Sequence, residues 1–177
     1  MDNKRLTRKE KRILKQNGNI NIQEKINFNL KHIEPLTENQ KNSFEAYHQN
    51  KNLMLHGIAG TGKSFVSMYL ALNQILSENS IYKKLIIVRS VVPTRDMGFL
   101  PGNSKEKARV YEAPYYAICT ELFGKSDAYE YLKSKNLIEF ISTSFIRGIT
   151  LNDCIIILCS SSFFSFAKLD RTLFNFN

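Results

Sequence analysis

The chain has 177 residues, room for one domain with one hydrophobic core. With 43% apolar and 23% charged residues its composition is that of a soluble globular protein, and its longest apolar runs, Leu85–Val88 and Cys154–Cys159, are too short to span a bilayer. Three cysteines (Cys119, Cys154, Cys159) without metal-type spacing and three scattered histidines (His32, His48, His56) exclude a disulfide scaffold and a cysteine-built zinc site. The charged N-terminus lacks the apolar stretch of a secretory signal, so a reducing cytoplasm is the expected compartment.

The net charge of +9 is uneven. Residues 1–15 carry Lys4, Arg5, Arg8, Lys9, Lys11, Arg12 and Lys15 against Asp2 and Glu10, a net of +5. A basic arm of this kind suits a phosphate backbone, because neutralising each phosphate releases counterions. Taken alone, it is more often the composition of a solvated, poorly ordered terminus.

Residues 16–34, rich in Asn and Lys, read as a lead-in segment that ends at Pro35. Thr37-Glu38-Asn39-Gln40 has the form of a capping box, with Thr37 as N-cap and Gln40 at the third helical position. The helix it starts is expected to run to about Gln49, with Phe44 and Tyr47 on one face. Asn52–His56 reads as a short apolar strand, and Ser64–Leu76 as a helix with Phe65, Met68, Tyr69, Leu72, Ile75 and Leu76 at helical spacing.

Leu85–Val88 is continuously apolar, the mark of a strand buried on both faces of a parallel sheet. Arg89–Ser104, with Pro93, Gly98, Pro101 and Gly102, reads as a long loop. Helices are expected at Lys105–Phe123, broken near Pro114 and stopped at Gly124, and at Asp127–Lys135. Strands follow at Ile138–Ser142 and Cys154–Leu158, separated by a turn containing Gly148. Strands alternating with helices predict an α/β fold with a largely parallel sheet. Beyond Leu158 the composition shifts: residues 159–177 hold five of the twelve Phe, and Asp170 is their one acid. The expected organisation is a basic arm and lead-in (1–34), a core (35–158) and a divergent Phe/Ser-rich tail (159–177).

Between the first strand and the second helix lies Gly57-Ile58-Ala59-Gly60-Thr61-Gly62-Lys63-Ser64, which satisfies G-x-x-x-x-G-K-[ST] in the strand-to-helix context that the motif requires. Gly57, Gly60 and Gly62 let the backbone turn its N–H groups toward phosphate oxygens, and the helix start adds a positive dipole end. Lys63 is placed to reach the β- and γ-phosphates and Ser64 to hold Mg²⁺. A glycine-rich turn alone would account for the glycines but not for a Lys-Ser pair at this offset. Hydrolysis asks for more: an acidic pair at the end of a second buried strand, to hold Mg²⁺ and polarise water. Cys154–Leu158 is the natural strand, yet Cys159-Ser160 follows it, and Asp153 precedes it, at the wrong end of the sheet.

These residues resemble the PhoH-like ATPases, especially those of tailed bacteriophages. The resemblance runs from about Phe28 to Leu158. It rests on Leu36-Thr37-Glu38-Asn39-Gln40, on Leu55 to Ser64, on Ile87 to Arg95, on Gly98-Phe99-Leu100-Pro101-Gly102, on Tyr111-Glu112-Ala113-Pro114-Tyr115 and on Phe145 to Asp153. It implies a RecA-like P-loop NTPase core, here partial, similar to the first domain of superfamily 1 helicases. ATP and Mg²⁺ are its implied ligands and RNA metabolism and phosphate starvation its implied setting, with ring assembly frequent. Gln40 then resembles the glutamine that reads adenine, beside its reading as a cap. Arg89, Arg95 and Arg147 become candidates for single-stranded RNA or DNA, beside a structural reading for each. Tyr111, Tyr115 and Tyr116 could stack on bases, but tyrosines on a helix are more often packing.

The departure is at the end of the last strand. Family members continue into Asp-Glu-x-Gln-Asn, then a helix, a further strand with a polar sensor residue, and later arginine fingers. That sensor strand lies between the P-loop strand and the acidic-pair strand, so both are expected to lose their shared neighbour here. No pattern in the tail marks a replacement. A truncation or frameshift after Leu158 is the simplest account. The expectation is an ATP-binding protein with impaired hydrolysis, in the host cytoplasm if phage-encoded. The alternatives are a nucleic-acid-binding module working through its basic arm, and a nonfunctional fragment.

Overall fold

The computed structural model describes residues 28–90, 104–146, 149–160 and 164–167. Helix α1 (Glu38–His48) begins as its sequence asks: the Thr37 hydroxyl accepts from the Gln40 backbone N–H at 3.2 Å. Tyr47 is buried, and Phe44 stacks on Tyr69 with ring centroids 5.7 Å apart. Strand β1 (Leu53–His56) leads through the glycine loop into α2 (Lys63–Ile75), whose residues from Val66 to Leu72 are all buried. Strand β2 (Lys84–Arg89) follows, with Leu85 to Val88 at most 1% exposed.

Helix α3 (Ser104–Phe123) does not break at Pro114; it runs straight through it. A proline cannot donate to the carbonyl four residues back. Pro114 and Val110 both lie on an exposed side of the helix, so water can satisfy the Val110 carbonyl that is left over. The helix does stop at Gly124, and α4 (Ala128–Ser134), β3 (Ile138–Ser142) and β4 (Cys154–Ser160) follow, the last running two residues beyond its expected end at Leu158. A fifth strand, β5 (Phe164–Ala167), comes from the tail, where no pattern announced one.

The sheet order is β1-β5-β4-β2-β3. β2 pairs in parallel with β3 (Leu85 opposite Ile138) and with β4 (Leu85 opposite Ile155). β5 runs antiparallel to both its neighbours: Leu55 and Cys159 each stand opposite Ser165. This corrects the expectation that β1 and β4 would lack a common neighbour. The tail supplies one, in the opposite direction.

The two faces of this sheet are built differently. Leu53, Leu85, Ile87, Ile138, Ile155 and Ile157 pack into one core with residues of all four helices. Ile86, Val88, Cys154 and Ile156 form a second, smaller cluster. Among the described residues it is closed by Ile146 and Leu151, from the β3–β4 connection, and not by a helix. Among the described residues no helix is long and apolar enough to cross a membrane.

Candidate nucleotide site

The glycine loop lies where β1 hands over to α2. Gly62 is the N-cap of α2 and sits in the left-handed region, φ +79°, and Gly60 has φ +82°. A side chain at either position would be strained, which is why the chain has none there. A Cβ on Gly62 would also come within 3.5 Å of Nε2 of Gln40. The first helical bond of α2 runs from the Val66 N–H to the Gly62 carbonyl at 2.9 Å, and the N–H groups before it have no acceptor within the helix. The first turn carries no acidic residue and no side-chain cap. Open donors, a positive dipole end and no competing carboxylate give this helix start a local field that favours negative charge.

Lys63 is folded over the loop that precedes it. Its ammonium donates to the Gly57 carbonyl at 2.8 Å, to the Ile58 carbonyl at 2.7 Å and to the Thr61 hydroxyl at 3.3 Å. The Thr61 hydroxyl in turn donates to the Ile58 carbonyl at 3.0 Å. The charge is therefore held at the mouth of the loop by oxygens of the loop itself. Of the three contacts, the long one to Thr61 is the cheapest to exchange for an incoming oxygen.

Beside the loop is a groove of about 570 Å³. Thr37, Asn39, Gln40 and Ser43 line it from α1; Met54, Leu55 and His56 from β1; Gly57, Ile58, Thr61, Lys63 and Val66 complete it. Met54, at 69% exposed, and Ile58 offer it apolar surface, while α1 offers amide and hydroxyl groups. Gln40 serves the helix start as well: its Oε1 accepts from the Leu36 N–H at 2.8 Å, so the return arm of the cap goes to Leu36. Its amide nitrogen is turned toward Gly62. The cap and a place in the groove are compatible, since each uses a different end of the amide. Asn39, Ser43 and Met54 were not singled out from the sequence. For Ser43 a signal existed, because it lies three residues after Gln40 on the same helical face.

Other predicted residues lie elsewhere. Arg89 ends β2, outside the groove; its Nη1 donates to the Tyr111 carbonyl at 3.2 Å, and its guanidinium lies 5.9 Å from the Tyr111 ring centroid. Arg95 and Arg147 lie outside the described residues, as do Gly98–Gly102 and the basic arm. Tyr115 is buried beside Arg89 and Cys159; burial and the thiol push its phenol pKa up, and the guanidinium opposes them. Tyr116 packs against Tyr129 in a tilted ring pair with centroids 4.3 Å apart and its hydroxyl donates to Glu130, so packing is its structural role.

At the end of β4, Cys159 stands opposite Arg89 in the position where hydrolysis would need a carboxylate. Asp153, at the other end, accepts from the Lys83 ammonium at 2.8 Å with its side chain, and from the Lys83 N–H at 2.7 Å with its carbonyl. It serves the start of the strand. Among the described residues no cluster of His, Cys, Asp and Glu could hold a metal by itself.

An α/β sheet with a glycine loop between β1 and α2 and a lysine folded over that loop is a P-loop NTPase core, here partial. Within that class the chain belongs to the PhoH-like protein family, whose pattern it matches over residues 32–163. It is 33% identical over 129 residues to a PhoH-like protein of Bacillus subtilis, covering 72% of this chain and 40% of that protein. A PhoH-like protein of Mycobacterium leprae gives the same identity, covering 72% of this chain and 36% of the relative. Protein PhoH of Escherichia coli is 27% identical over 123 residues, 68% of this chain and 34% of its own. The chain thus spans well under half the length of these relatives.

Proposed function

We propose that this chain binds a nucleoside triphosphate, ATP, as its magnesium complex and turns it over slowly or not at all. The observation that carries the reading is Lys63, whose ammonium is held by the Gly57 and Ile58 carbonyls at the start of a helix with open N–H donors. In this reading the backbone of Gly57–Gly62 receives the phosphates, Lys63 neutralises the β- and γ-oxygens, and Ser64 contributes its hydroxyl to Mg²⁺. The metal would supply charge neutralisation of the phosphates. The base enters the adjoining groove, against Met54 and Ile58, with the Gln40 amide nitrogen toward its polar edge. Slow turnover follows from Cys159-Ser160 standing where an acidic pair would orient water.

The test is calorimetric titration of Mg·ATP into wild type and Lys63→Ala. The mutant is expected to show no measurable binding, and equal affinities would overturn the reading. Phosphate release little or no faster than the uncatalysed rate is expected from both proteins. Charge in residues 1–15 supports a second, separable activity: salt-dependent binding of single-stranded RNA that survives Lys63→Ala and is lost when those seven basic residues are neutralised.

A further inference from the structure

The P-loop strand is attached to the sheet in an unusual way. β1 occupies one edge, and its strand neighbour is β5. β4 and β1 run in the same direction but do not touch as strands; β5 stands between them with four residues paired on each side. Among the described residues, the ladder that ties β1 to the rest of the sheet therefore passes through Phe164–Ala167. Helix α2, which begins at Lys63, also packs across β5.

A strand carries its C-terminal residue wherever its ladder places it. The register sets His56 opposite Phe164, and Gly57 is the next residue. The same Phe164 is opposite Ser160, at the end of β4. The tail thus holds the start of the phosphate loop level with the carboxyl end of β4. Without β5, the β1 and β4 edges facing it would carry unpaired N–H and C=O groups.

We propose that β5 is the positioning element of the phosphate loop: the tail strand holds β1, and with it Gly57–Lys63, at the carboxyl edge of the sheet. Its functional consequence rests on the nucleotide reading above, but its structural one does not. Residues 164–167 then matter to the site although none of them touches a phosphate.

The register provides a direct test. Cys159 and Ser165 are opposite one another, and opposed residues of an antiparallel pair have Cα atoms about 4.5–5.5 Å apart, within the range a disulfide spans. Ser165→Cys in the full chain is oxidised and the bridge located by peptide mass. The expected bridge is to Cys159. Hydrogen exchange of the Leu53–His56 amides should then slow by about fivefold or more relative to the reduced protein, with Mg·ATP affinity within about twofold of wild type. A bridge to another cysteine, no bridge, or a Cys159 bridge with unchanged exchange at Leu53–His56 would each overturn the proposal.

Ser165→Pro breaks the ladder from the other side. It should speed exchange at Leu53–His56 and weaken Mg·ATP binding by about tenfold or more, while Leu85–Val88 remain protected. Wild-type affinity in that variant, or loss of protection at Leu85–Val88 as well, would contradict an effect confined to the phosphate loop. If wild type itself does not bind Mg·ATP, the nucleotide reading falls and the two exchange measurements still decide the role of β5.

Discussion

The two halves of the sheet hold together by different means. The β4-β2-β3 block is parallel, and its central strand is apolar and buried on both faces from Leu85 to Val88. The β5-β1 half is antiparallel and four residues deep, and β1 alternates between buried Leu53 and exposed Met54. The block is stabilised by continuous burial; β1 buries one face and is held by a short ladder. The phosphate loop hangs from the weaker half. Regions with little buried apolar surface open at lower free energy than the core, so the glycine loop is expected to open more readily than the β4-β2-β3 block.

The contrast can be broken most severely at its strong end. Leu85→Ala removes a fully buried side chain from the centre of the block and should cost about 2–5 kcal/mol, read by denaturant unfolding. A smaller loss is expected in the helical layer that covers the block. Glu112, 4% exposed, accepts from the Tyr129 hydroxyl at 2.8 Å and from the Lys133 ammonium at 2.7 Å. Glu112→Ala leaves a buried hydroxyl without its partner and should cost about 1–3 kcal/mol, with Glu112→Gln recovering part of it.

Cys119, buried between α3 and the sheet, gives a pH-dependent version of the same comparison. Burial pushes its thiol from 9.0 up to about 12. Above pH 9 the unfolded chain releases this proton and the folded chain keeps it, so stability is whole below pH 9 and declines as pH rises toward 12. The slope contributed is at most about 1.4 kcal/mol per pH unit. Cys119→Ala should flatten the fall between pH 9 and 10, measured by unfolding at each pH; a slope unchanged from wild type would contradict the assignment. The smallest effect is expected in the outer half: Met54→Ala, at an exposed position on β1, should change stability by no more than about 0.5 kcal/mol.

Much of this architecture was legible before any coordinates. Helix α1 could be started at Thr37 because a cap is a contact between near neighbours, and β2 could be placed because four consecutive apolar residues admit few other readings. The glycine loop was the clearest signal, since each of its residue types answers a local demand of backbone or phosphate. The run of α3 through Pro114 was not legible: whether a proline breaks a helix depends on whether the orphaned carbonyl can reach water, and here Val110 and Pro114 lie on an exposed side. The groove was half legible, because Gln40 and the loop carry motifs while Asn39, Ser43 and Met54 join them only when α1 and β1 are brought together.

The tail shows where local reading stops. Phe164-Ser165-Phe166-Ala167 is too short to announce itself, and nothing near it in the chain says which strands it would join. By itself the sequence determined most of the elements, the glycine loop and the want of an acidic pair after Leu158, because those follow from neighbours a few residues apart. Only the tertiary structure decided that β1 and β4 would be joined by an antiparallel strand from the tail, and that the four helices among the described residues would pack into one core. Those outcomes follow from which unpaired backbone edges and apolar surfaces meet across the fold, a choice settled by pairing between distant segments rather than by any segment alone.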